Sequence, residues 1–317
     1  MKALVTGTAG FIGSHLAEAL VESGAEVTGI DCFTDYYGRD IKERNLAGLR
    51  GRKGFTFLDA PLQTVPLAPL LDGVTHVFHL AAQAGVRKSW GDDFRTYTSH
   101  NVDATQRLLE AAKGLPLHRF VYASSSSVYG DVAQIPMRED AYLQPLSPYG
   151  VTKLAAEHLC HLYFANHGVP TVSLRFFTVY GPRQRPDMAF HRFIRAAFAG
   201  TPITLYGDGG QTRDFTYVAD IVAANLAAGD RGKPGAVYNI GGGSRVSVLE
   251  VLELVGRLTG RPLQVRREET QKGDMRDTFA DTTRARADLG FSPRYTLERG
   301  LADECAWLAE LTRAEHS

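Results

Sequence analysis

Cysteine is scarce in this chain: Cys32, Cys160 and Cys305 are the three in 317 residues, odd in number and widely spaced. That argues against a disulfide framework and fits a reducing compartment. Charge of one sign is also lacking. The 35 Lys and Arg balance 35 Asp and Glu, so no global field points to nucleic acid or to a membrane surface as a partner. No apolar run approaches the roughly 20 residues that span a bilayer. Met1 leads directly into a strand pattern and a glycine turn, without a signal-peptide pattern. The expectation is a soluble cytoplasmic protein with neither nucleic-acid nor membrane partner. Repeats and low-complexity tracts are absent as well. His158 and His161 are neighbours on a helical pattern, but no further ligand accompanies them, so no metal site is expected and a packing or dimer-contact role is favoured.

Alternation is what the chain has in plenty. Short apolar runs at residues 2–6, 26–30, 55–58, 76–80, 119–123 and 171–175 read as strands. Amphipathic segments at 12–22, 41–49, 102–112 and 149–166 read as the helices between them. Continuously apolar strands alternating with helices imply an α/β fold: a doubly wound, Rossmann-like parallel sheet with its ligand crevice at the carboxyl ends of the strands. Beyond residue 175 the pattern loosens into a loop at 178–188 and helices at 189–199, 218–228, 248–259 and 297–310. A dinucleotide-binding part over 1–175 and a smaller α/β substrate part over 176–317 are expected, with segments around 213–240 able to return to the first.

The first strand ends in Gly7-Thr8-Ala9-Gly10-Phe11-Ile12-Gly13, which opens a helix. Glycines here serve a tight turn, backbone approach to a pyrophosphate and close helix–strand packing, while the helix start supplies free N–H groups. The spacing is GxxGxxG, a variant of the dinucleotide fingerprint. Asp31 ends the second strand, 18 residues after Gly13. Its carboxylate can accept from ribose hydroxyls and repels a 2′-phosphate, favouring NAD. Asp59 and Ala60, after the third strand, are candidates for the adenine end, and Leu80, Ala81 and Ala82 for a flat wall against the cofactor.

Tyr149 and Lys153 lie four residues apart on one helical face. A phenol with a pKa near 10 is a poor base at neutral pH, and a neighbouring ammonium together with a positive nicotinamide would favour the phenolate. The run Ser124-Ser125-Ser126-Ser127 places hydroxyls at the same edge of the sheet.

With these residues in place, the chain resembles the extended short-chain dehydrogenases/reductases that act on nucleotide sugars, over nearly its whole length. The runs His79–Arg87 and Leu174–Ala189 are most similar to UDP-glucuronic acid 4-epimerases. The resemblance implies Ser125, Tyr149 and Lys153 as catalytic residues, with Asn101 and Phe176 beside the cofactor. It implies a proton passing from O4 to Tyr149, a hydride from C4 to NAD, rotation of the 4-keto sugar and return of the hydride. Arg213 matches a diphosphate-binding arginine, with Arg276 a weaker candidate. For the uronate carboxylate the choice is Arg185, assisted by Ser126, Ser127 and Thr178. Met188 belongs to the same loop, and Arg87 and Arg192 are alternatives for carboxylate or phosphate. A homodimer through the Tyr149 helix and the one before it is also implied.

Ser126-Ser127 stand where 4,6-dehydratases carry an Asp-Glu pair, which disfavours dehydration. A UDP-glucose/UDP-galactose 4-epimerase, a UDP-glucuronate decarboxylase and a non-catalytic cofactor sensor stay open as alternatives.

Overall fold

The computed structural model describes residues 1–131, 134–269, 273, 275–313 and the backbone of 314–315. Seven strands form one parallel sheet: β1 (Lys2–Thr6), β2 (Glu26–Asp31), β3 (Phe55–Asp59), β4 (His76–His79), β5 (Arg119–Ser125), β6 (Thr171–Phe176) and, far along the chain, β11 (Val237–Ile240). Their spatial order is β11-β6-β5-β4-β1-β2-β3. The order reverses between β1 and β4, and at that switch point the connections leave a crevice beyond the strand ends.

The apolar runs are continuous because both faces of the sheet are covered. Ala3 and Val5 pack into one buried cluster, with Phe78 and Val121. Leu4 packs into another, with Val77 and Phe120. Successive side chains point to opposite faces, so these two clusters are the two helix–sheet layers. Helices α1 (Phe11–Glu22) and α8 (Val218–Arg231) lie together on one face. On the other lie α3 (Leu67–Leu71), α5 (Ala104–Ala112) and α6 (Pro148–His167). Between β2 and β3 runs α2 (Arg39–Leu46), and α4 (Phe94–Tyr97) continues through a π-helical turn at Thr98–Asp103 into α5. The helix expected from residue 102 therefore starts eight residues earlier.

The later chain forms short two-stranded pairs: β7 (Val179–Tyr180) with β10 (Thr216–Tyr217), β8 (Ile203–Tyr206) with β13 (Val265–Glu268), and β9 (Thr212–Asp214) with β12 (Arg245–Ser247). These were not legible as strands, being two to four residues long with weak alternation. Around them pack α7 (Ala189–Ala199), α9 (Val248–Thr259) and α11 (Leu297–Glu315), with α10 (Thr283–Leu289) against β11.

Candidate active site

The glycine loop bends where β1 meets α1. Gly7 adopts φ 74°, in the left-handed region that disfavours other residues. A Cβ on Gly13 would run into the Gly7 carbonyl, so the helix can sit this close to the turn only with glycine there. Gly10 is the N-cap of α1 and brings no side-chain cap. The first amides of a twelve-residue helix are thus not satisfied by a capping side chain. Asp31 closes the neighbouring wall: its Oδ2 accepts from Ala9 N at 3.1 Å and its Oδ1 from Phe33 N at 3.0 Å. Burial raises its pKa against those hydrogen bonds.

The groove over these strand ends encloses about 210 Å³. It gathers Gly7, Gly10, Phe11, Ile12, Gly13, Asp31, Ala60, Leu80, Ala81, Ala82, Tyr149, Lys153 and Phe176 from the expected set, together with Arg185. The uncapped helix start, the Asp31 carboxylate at the groove wall and the small-residue wall fit a dinucleotide such as NAD. Two expected residues stand elsewhere. Asp59 is exposed and ion-paired with Arg39 at 2.7 Å. Asn101 is buried behind the wall, its Oδ1 accepting from Gln83 N at 2.7 Å and its Nδ2 donating to Gln83 O and to Thr152 Oγ1. It holds the Gln83 segment in place rather than facing the groove.

Helix α6 carries the titrating groups. Ser147 caps it, accepting from Gly150 N at 3.1 Å, and Pro148 opens its first turn. Lys153 Nζ, 4 % exposed, donates to the Ala123 carbonyl at 2.7 Å. Burial lowers its pKa to about 8. Burial raises the Tyr149 pKa, opposed first by a hydrogen bond with Ser125 and then by the charge of Arg185. The Lys153 ammonium meanwhile points to the Ala123 carbonyl. One turn beyond Lys153, Glu157 is buried, pairing with Arg175 of β6 at 2.6 Å and accepting from Ser124 Oγ at 2.7 Å. This anchor behind the site has a sequence signal, the i,i+4 continuation of Tyr149 and Lys153, which the expectations did not use.

A second cavity of about 150 Å³ opens on the far side of the serine run. Ser126, Ser127, Thr178 and Arg213 line it as expected, joined by Ser147, Met275 and Thr278. The Arg213 guanidinium donates to the carbonyls of Thr212, Met275 and Arg276.

Other substrate candidates are not brought to this cavity. Arg185 lines the cofactor groove instead, forked onto Asp187 through two 2.9 Å hydrogen bonds. Arg87 is exposed over the Tyr206 ring at 4.3 Å. Arg276 is exposed and paired with Asp208 at 3.3 Å. Met188 occupies the N-cap position of α7. Arg192 faces a separate cleft with Arg44 and Trp307. Loop charge was readable from sequence; the direction each arginine takes was not. Among the described residues, no cluster of three or more His, Cys, Asp or Glu is arranged to hold a metal ion.

Sheet, groove and the Ser125–Tyr149–Lys153 set together define an NAD-binding enzyme of the short-chain dehydrogenase/reductase type. Residues 3–241 match the NAD dependent epimerase/dehydratase family, and the chain belongs to it. A Bacillus subtilis protein called an uncharacterized UDP-glucose epimerase is 48% identical over 319 residues, spanning 99% of this chain and 100% of that one. A probable UDP-glucuronate 4-epimerase of Rhizobium meliloti is 37% identical over 340 residues, covering 100% and 99%. The crystal structure of the Bacillus cereus UDP-glucuronic acid 4-epimerase, in complex with UDP-glucuronic acid and NAD, superposes with a TM-score of 0.96 at 44% identity, covering 98% of this chain and 100% of that one.

Proposed function

We propose that this protein interconverts UDP-glucuronic acid and UDP-galacturonic acid by NAD-dependent epimerisation at C4. The observation that carries the reading is that the serine run joins two cavities: Ser124 lines the dinucleotide groove with Tyr149 and Lys153, and Ser126 and Ser127 line a hydroxyl-rich cavity with one guanidinium. The relatives bearing uronate names support the sugar's identity.

In this reading the Tyr149 phenolate accepts the O4 proton and becomes the phenol, while Ser125 hydrogen-bonds O4 and shortens the proton's path. Lys153, fixed on Ala123, bonds the cofactor ribose. When bound, NAD would supply the acceptor and then the donor of the C4 hydride. Ser126, Ser127 and Thr178 donate to the uronate carboxylate, and Arg213 holds the diphosphate. The carboxylate matters chemically, because a 4-ketone makes this acid β-keto and prone to lose carbon dioxide. Donors that keep the carboxylate out of the perpendicular geometry suppress that loss.

Residues 1–175, with α8 and β11 returning to the sheet, form the cofactor part, and the remaining chain the substrate part. A homodimer in the cytoplasm completes the proposal. Trp90, Phe94 and Val151, exposed at 50%, 38% and 49%, support an apolar contact beside the start of α6. No helix among the described residues is long and apolar enough to cross a membrane.

The test is to offer UDP-glucuronate and UDP-glucose separately and follow the C4 epimer by NMR. Conversion of UDP-glucuronate is expected; conversion of the neutral sugar alone would overturn the assignment. Tyr149→Phe should lower kcat by about 10²–10⁴-fold with little change in KM, as removal of a positioned general base does.

A further inference from the structure

Arg185 stands in the cofactor groove, where it has a partner that the carboxylate-binding expectation does not explain. Asp187 takes both ends of its fork at 2.9 Å. Tyr36, from the segment between β2 and α2, donates to the same carboxylate at 3.2 Å. The Tyr36 ring lies 5.8 Å beneath the guanidinium, within cation–π range. Its hydroxyl also rests against Gly85, so close that a Cβ there would collide with it. One tyrosine therefore touches the segment after β4 and the loop after β7, while its own segment forms the adenosine-side wall.

The loop that carries Arg185 and Asp187 is pinned to the first part of the chain on its other flank as well. His15 Nε2 meets the Pro182 carbonyl at 2.9 Å. Arg183, held at φ 67°, donates to Ser14 Oγ at 3.2 Å and pairs with Glu18 at 2.9 Å. A non-glycine residue in this conformation persists only where its surroundings fix it. The base of the loop is thus rigid, and its tip reaches Tyr36 across the groove.

The groove under this tip encloses about 210 Å³, less than the roughly 300–1,000 Å³ of ordinary small-molecule sites. Tyr36 and Arg185 both line it, so a bound dinucleotide lies against these side chains.

We propose that Tyr36, Asp187 and Arg185 form a clasp over the cofactor groove that opens for loading and then retains the dinucleotide through both hydride transfers. A reaction that oxidises and then re-reduces one substrate needs such retention, since loss of reduced cofactor between the halves strands a 4-keto sugar. Arg185 brings a guanidinium, held by Asp187, to the same groove that the uncapped start of α1 lines. The inference rests on the dinucleotide and not on which sugar is turned over.

The test uses the full-length enzyme loaded with NADH, chased with excess NAD in the absence of sugar and followed by NADH fluorescence. Tyr36→Phe and Asp187→Asn each remove one polar element with little change in volume. Release about tenfold faster than from the parent is expected in at least one of them, the size of one lost hydrogen bond. With UDP-glucuronate present, that variant should also accumulate free NADH, which a purely structural defect would not produce. Release within about threefold of the parent from both variants, with folding intact by circular dichroism, would overturn the proposal.

Discussion

Two arginine–carboxylate pairs, Arg175–Glu157 and Arg185–Asp187, use the same bidentate chemistry in opposite ways. The first is sealed, its side chains 3% and 5% exposed. Arg175 also reaches Tyr129 Oη at 2.8 Å, and the Tyr129 hydroxyl donates to Asn239 Oδ1 at 2.6 Å. Every group has a partner, so the network has one arrangement and fixes α6, with Tyr149 and Lys153, against β5 and β6. The second pair is 20% and 35% exposed at the groove rim. Asp187 is open to water, which screens this pair more than the sealed one. Burial thus decides whether an ion pair is a frame or a latch.

The comparison can be broken most directly at Glu157. Glu157→Ala leaves Arg175 buried without its counter-charge and should cost about 3–5 kcal/mol in urea unfolding. A cost no larger than that at the rim would show the inner pair to be no frame. Lys153→Met probes what the framed site itself costs. Burial depresses the lysine from 10.5 to about 8 in the folded chain, so the folded state binds fewer protons than the unfolded one between those values. The penalty is full below about pH 8 and disappears as pH rises to 10.5. The variant should therefore gain about 1–2 kcal/mol at pH 7, a gain that shrinks in alkali, while turnover is lost. Thermal unfolding across pH 7 to 10.5 reads this out; an unvarying difference would contradict it. Asp187→Ala should cost no more than about 1 kcal/mol, and a larger loss would mean the rim pair is structural too. The smallest effect belongs to Asp59→Asn, which opens one exposed contact with Arg39 and should leave stability and cofactor affinity within about 0.5 kcal/mol.

Much of this was legible in the sequence, and the part that was not has a common cause. The six first strands and the helices between them follow from local period and apolar runs, and the glycine loop with Asp31 announces the cofactor. Tyr149, Lys153 and the serine run also lie where spacing puts them. What the sequence could not supply was the direction of long side chains on loops. Arg185, Arg87, Arg192 and Arg276 are all loop or helix-start residues: Arg87 and Arg276 turn to Tyr206 and Asp208 from distant segments, Arg185 forks onto Asp187 within its own loop, and Arg192 lines a separate cleft. Asn101 shows a related blind spot: a polar residue beside a site can be consumed entirely by backbone. The short strand pairs β7–β10, β8–β13 and β9–β12 escaped because their pairing is non-local and their length gives no period to read.

The small cavity is built from segments scattered along the chain: Ser126–Ser127 after β5, Ser147 ahead of α6, Thr178 after β6, Arg213 in β9, and Met275 and Thr278 near the end. None of its lining residues is shared with the cofactor groove. Ser147 caps α6 and Ser127 N donates to Ser125 Oγ, so substitutions that reshape the pocket without touching the redox apparatus are confined to its other positions. A library confined to those positions should yield variants with altered sugar preference that still copurify with NAD, a modularity open to both natural drift and directed evolution.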